Sequence, residues 1–173
     1  VCTDRNSYHS GAAAVGMGGL QVSVPVSVPA LFLVGVVAGG VATRAMDVVM
    51  ARLDEGETPP QVASGVLTDT DPDHAPERPA AAVHYVAGVL TGPLFVWLYL
   101  AAAVAVGGGA PAVAVATAVC YPLMVGFFAV VVLPRSRGLA RQRLSKIRRA
   151  WGVEAAAYLA VLAPLVGVAA AVL

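Results

Sequence analysis

Charge is what this sequence has least of. Asp, Glu, Lys and Arg make up 12% of it, about half the ~25% usual in soluble domains. The few charges fall in blocks. None stands between Arg5 and Arg44, from Pro79 to Pro134, or from Ala155 to Leu173. Uncharged stretches of that length, in a chain that is 58% hydrophobic with a mean hydropathy of +0.78, exclude a water-soluble globule.

Chemistry-bearing residues are scarce as well. Of the two cysteines, Cys2 lies near the start and Cys120 inside an apolar run, and no CxxC occurs. A thiol-redox pair and a zinc knuckle are both excluded. A bis-histidine haem site needs two histidines within the apolar runs, and only His84 qualifies. No Gly-rich phosphate loop, HExxH, Ser–His–Asp set or acid-rich phosphotransferase motif is present. The spacing Asp69-x-Asp71-x-Asp73 opens like a calcium loop, but His74 takes the glycine position, Pro72 breaks the loop, and Ala80 replaces the closing glutamate. The expectation is a protein that is not an enzyme and that holds no metal or cofactor.

What remains is hydrocarbon. Crossing a bilayer takes about 20 apolar residues in a helix. Four segments qualify: Val28 to Leu53, Ala80 to Val106, Pro111 to Leu133, and Trp151 to Leu173. They are continuously apolar rather than alternating, which rules out a β-barrel. In lipid, a helix satisfies every backbone amide internally. The expected fold is an all-α integral membrane bundle of four transmembrane helices, a single domain over residues 21–173.

Seven of the eleven basic residues lie between the last two segments: Arg135, Arg137, Arg141, Arg143, Lys146, Arg148 and Arg149. Basic residues in short loops stay on the cytoplasmic side. That places the loops 54–79 and 134–150 inside and both termini outside, with only Arg5 dissenting. The expected location is the cell (cytoplasmic) membrane, spanned several times. The first loop is acidic, with Asp54, Glu55, Glu57, Asp69, Asp71, Asp73 and Glu77 against a single Arg78. Its prolines and aspartates spell turns, with room for two turns of helix from Gln61 to Leu67. Residues 134–150 differ: Leu144, Ile147 and Trp151 recur at helical spacing among the basic residues, as in an amphipathic helix lying at the interface and running into the fourth membrane segment. Its seven cations are expected to fix topology and to meet anionic lipid headgroups, not nucleic acid. Residues 1–20 are too polar and glycine-rich for a signal-peptide core and read as a disordered tail.

Membrane helices approach one another through small residues. The first helix carries Gly35 and Gly39 on one stripe, and the second carries Gly88 and Gly92. These four are candidate packing positions, with self-association through the Gly35/Gly39 face or a membrane protein partner in view. Ionisable residues within membrane segments often mark a pathway. Asp47, His84 and Glu154 fall at similar depth by rise per residue, and Arg44 precedes Asp47 by three. Together Arg44, Asp47, His84 and Glu154 form a candidate polar cluster near the charged end. The alternative is that all four simply cap, pair or snorkel at helix ends.

The run from Ala38 to Met50 (AGGVATRAMDVVM), then Pro59-Pro60, then His84 to Gly92 (HYVAGVLTG) resembles a family of uncharacterised small polytopic integral membrane proteins. Those proteins combine an AGxxAT first helix with an HxxxGxxxG second helix. The preference for arginine over lysine and the acidic loop are similar to the haloarchaeal members. The resemblance covers about residues 30 to 100 and implies a membrane bundle without an assigned activity. Two functions follow as expectations: a structural or accessory membrane bundle, or a small transporter or channel using the Asp/His/Glu cluster.

Overall fold

The computed structural model describes residues 27–173; residues 1–26, including the tail expected over 1–20, lie outside the described residues. The described residues form five α-helices: α1 (Ser27–Met50), α2 (Thr58–Thr68), α3 (Glu77–Val106), α4 (Ala110–Phe127) and α5 (Arg141–Val172). The described residues contain no strand. Among the described residues, four helices are long and apolar enough to cross a membrane: α1, α3, α5 and Ala110–Arg135, which is α4 with its irregular extension. The protein is an all-α, multi-pass membrane bundle.

The four long helices pack in a ring. α1 lies between α3 and α5, and α4 closes the far side against both. Phe95 and Val96 of α3, Ala112 and Ala116 of α4, and Leu162 and Val166 of α5 fill the axis and are almost entirely buried. Outward positions such as Leu33, Trp97, Val104 and Val168 are exposed and apolar, as a lipid-facing surface requires. α3 and α4 meet through a tight turn at Gly107 and Gly109, whose φ angles of 82° and 75° only glycine adopts readily. The Gly109 N–H donates to the Tyr99 hydroxyl across that turn.

At the opposite, charged end the elements differ from the sequence expectation in three ways. The short helix in the acidic loop starts at Thr58, so Pro59 and Pro60 sit inside its first turn rather than before it. A proline is tolerated there because the first-turn N–H has no intrahelical partner to lose. α4 does not end cleanly: it runs into a π-turn, Phe128–Val132, and a 3₁₀ turn, Leu133–Arg135. The basic segment runs on into the last membrane helix, as its sequence leads one to expect, but its apolar side does not face an interface. α5 runs unbroken from Arg141 to Val172, about 48 Å at 1.5 Å per residue. The apolar side of its first turns is used internally, because Ile147 is fully buried with Val62 of α2, Phe128 and Leu133. A stripe committed to that second, smaller core has nothing left to lay into lipid.

Candidate functional site

The seam between α1 and α3 is built from backbone meeting backbone. A Cβ on Gly92 would overlap the Gly35 carbonyl oxygen, and one on Gly88 would overlap the Thr43 hydroxyl. One on Gly39 would stand 2.8 Å from the Gly88 carbonyl oxygen. All four candidate packing glycines therefore meet each other within one chain. The Gly35/Gly39 face is already occupied by α3, which removes it as a surface for self-association.

That close approach sets the polar groups just beyond it. Asp47 on α1 faces His84 and Tyr85 on α3. His84 Nε2 donates to Asp47 Oδ1 at 2.8 Å, and the Tyr85 hydroxyl donates to Oδ2 at 2.5 Å. Arg44 donates to Asp47 Oδ2 at 3.2 Å and to the Tyr85 oxygen at 2.5 Å. Three donors on one carboxylate make a charge-assisted clamp between the two helices. Arg44 lies on the outside of this clamp, with its side chain 74% exposed. Tyr85 is a member that the sequence reading missed; its only signal was its place beside His84.

Glu154 does not join. Its residue is fully buried on α5, and neither carboxyl oxygen has a hydrogen-bond partner among the described residues. The four-residue cluster expected from depth alone is thus two separate features: Arg44, Asp47 and His84, with Tyr85, on the α1–α3 seam, and Glu154 alone. Matching depth places residues on one level, but helix rotation decides which of them face each other. An unpartnered buried polar group costs about 1–3 kcal/mol, and an apolar replacement of similar shape removes that cost. Glu154→Leu is accordingly expected to raise the thermal stability of the detergent-solubilised protein. A fall in melting temperature would mean that the carboxyl has a partner in the assembled state.

Between α3 and α4, near the charged end, lies a cavity of about 440 Å³. His84, Thr91 and Leu94 of α3 and Leu123, Phe127 and Phe128 of the α4 segment form its sides. Pro59, Pro60 and Ala63 of α2, Thr43 and Met46 of α1, and Trp151 and Tyr158 of α5 complete it. Its polar side chains are turned to partners within the protein. Thr43 donates to the Gly39 carbonyl, Thr91 to the Ala87 carbonyl, Tyr158 to the Gly88 carbonyl at 2.6 Å, and Trp151 Nε1 to the Met124 carbonyl.

Neither the family models, nor the curated proteins, nor the solved structures contain a match to this chain.

Below the cavity, the acidic loop is folded onto the basic segment. Arg143 reaches Glu55 with Nε and one terminal nitrogen, both at 3.0 Å, and Asp73 with the other at 2.9 Å. Glu55 is largely buried and also accepts from the Thr58 hydroxyl at 2.6 Å. The Arg143 hydrogen bonds, assisted by Thr58 and by the positive charge of Lys146, hold the Glu55 carboxyl below the usual carboxylate range against its burial. Arg137 pairs with Asp69 at 2.9 Å on the open surface. Asp71 accepts from the Asp73 N–H and lies against Gly138, where a Cβ would overlap its carboxylate and where the φ of 81° suits only glycine. The aspartates of the calcium-like spacing are thus divided between caps and arginines. No group of three metal-ligating side chains stands together among the described residues.

These pairings revise the roles of the basic cluster. Arg143, read from sequence as a headgroup or topology residue, is an internal tie between the loop and α5. Arg135 donates to the Val131 carbonyl within the irregular end of the α4 segment. Arg141, Lys146, Arg148 and Arg149 remain exposed, with no ion pair among the described residues.

Proposed function

We propose that the protein is a structural or accessory membrane bundle without enzymatic activity. The observation that carries this reading is the filled axis, in which the side chains of α3, α4 and α5 leave no polar lane between the two ends. A permeation path needs polar groups along its whole length. Here Asp47 is spent on a clamp between two helices, and the threonines bond to their own helix backbones. The charged end faces the cytoplasm in this reading and both termini face outward, because cations in short loops are retained inside. The cytoplasmic membrane is its location. Exposed Arg141, Lys146, Arg148 and Arg149 would then meet anionic headgroups, at about 1 kcal/mol per residue near the surface. A second copy or a membrane protein would dock on faces other than the Gly35/Gly39 stripe.

The alternative is a small transporter or channel, and Glu154, buried and without a partner among the described residues, is the observation that favours it. Purified protein in vesicles holding a trapped pH indicator separates the two. The expected result is a proton and potassium leak equal to that of protein-free vesicles. A leak that appears with the protein and disappears with Glu154→Gln would establish transport in place of the structural reading.

A further inference from the structure

The cavity between α3 and α4 is closed on most sides and open on one. Its lining residues from α1, α2 and α5 are buried or half-buried. Its exposed lining residues are Ala87 and Leu94 on α3 and Leu123 and Phe127 on α4. The mouth therefore lies between two membrane-crossing helices and is rimmed by side chains such as Leu123 and Phe127, 51% and 61% exposed. Proline-started α2 supplies the floor toward the charged end, held there by Val62 in the small core. At the other end α3 and α4 converge on their short turn.

Water is a poor occupant. A stable buried water needs two to four polar partners, and the hydroxyls and indole N–H at this wall already donate to backbone carbonyls. The size falls within the roughly 300–1,000 Å³ of ligand pockets. What the bilayer presents at that mouth is hydrocarbon, which asks for no hydrogen bond and fills the space with dispersion contacts. We propose that this cavity is a lipid site: it takes one hydrocarbon chain of a bilayer lipid, which enters sideways between α3 and α4 and lies against Trp151 and Tyr158.

Trp151 reports on the occupant directly. It is fixed at the wall by its bond to the Met124 carbonyl and by stacking on Phe128, with ring centres 4.9 Å apart. The sequence holds two tryptophans, and the other, Trp97, faces outward at 59% exposure. Trp97→Phe leaves Trp151 as the single emitter. This variant is placed in vesicles of phosphatidylcholine, with either ordinary or dibrominated chains, since bromine quenches tryptophan only on near contact. Brominated chains are expected to quench Trp151 strongly. Adding Ala87→Phe, which fills the mouth, is expected to abolish most of that quenching. Thr91→Leu serves as a second filling variant, and near-ultraviolet circular dichroism checks the fold of each. Absence of quenching in the Trp97→Phe protein overturns the site. Quenching that persists unchanged in a folded filling variant overturns it too, since lipid would then reach Trp151 by another route.

Discussion

Gly92→Leu is expected to leave no assembled bundle. At this position even a methyl group would overlap the Gly35 carbonyl oxygen, and that oxygen belongs to rigid helix backbone. A flexible side chain could swing aside; a helix must move as a body. Moving α1 off α3 would also separate Gly39 from the Gly88 carbonyl and pull Asp47 from His84 and Tyr85. Overpacking a tight core costs typically 1–3 kcal/mol. Gly92→Ala should fall in that range, and the larger leucine beyond it. The measurement is thermal unfolding in detergent, with size-exclusion elution as a check on assembly. Gly126 on α4 provides the contrast, because among the described residues nothing beyond its own helix backbone lies within 4 Å of a Cβ built there. Gly126→Ala should be neutral or gain up to about 1 kcal/mol from helix propensity. A tolerated Gly92→Leu would show that α1 and α3 do not approach as described.

The second large effect is expected at Arg143. Its fork holds a mostly buried Glu55 and an exposed Asp73 at once, so Arg143→Ala strands one carboxylate out of water. Exposed ion pairs contribute about 0–1 kcal/mol, whereas breaking a buried pair costs about 3–5 kcal/mol. Half-buried Arg143 should fall between, at about 2 kcal/mol. Arg143→Lys keeps the charge but loses the two-pronged geometry, and should recover only part of that loss. Because the folded protein lowers the Glu55 pKa, the contribution is complete above the carboxylate's unfolded value, about pH 4.3. It is lost as pH falls through the lower folded value. Limited proteolysis of the loop 54–79 should therefore accelerate in acid for the native protein. Arg143→Ala should be cut readily at neutral pH, with little further change on acidification. Equal resistance of native and Arg143→Ala protein at neutral pH would show that the arginine does not fasten the loop.

These two sites also mark how far sequence reading reaches. Gly35, Gly39, Gly88 and Gly92 were legible as packing residues, because four-residue spacing on a helix defines a stripe regardless of what covers it. Their partners were not: a stripe fits a second copy as well as a neighbouring helix. Arg143 looked like any other member of a basic run, since spacing cannot tell a cation turned toward the loop from one turned toward lipid. Asp47 and His84, level by depth, do meet in the structure, while Glu154, at a comparable depth, stands apart from them. Tyr85 carried no signal beyond its place beside His84, and Tyr158 none beyond being aromatic.

The sequence alone determined the class of this protein, the number of membrane-crossing helices and the end at which its charge collects. Each of those follows from hydropathy and charge summed along one segment, a local property. Tertiary structure decided what each side chain meets: the glycine seam, the Asp47 clamp, the isolation of Glu154, the Arg143 fork and the sideways-opening cavity. Those contacts depend on the rotation and register of helices far apart in the chain. In a membrane that rotation is set by close packing and hydrogen bonding between helices, because lipid surrounds every apolar face equally well.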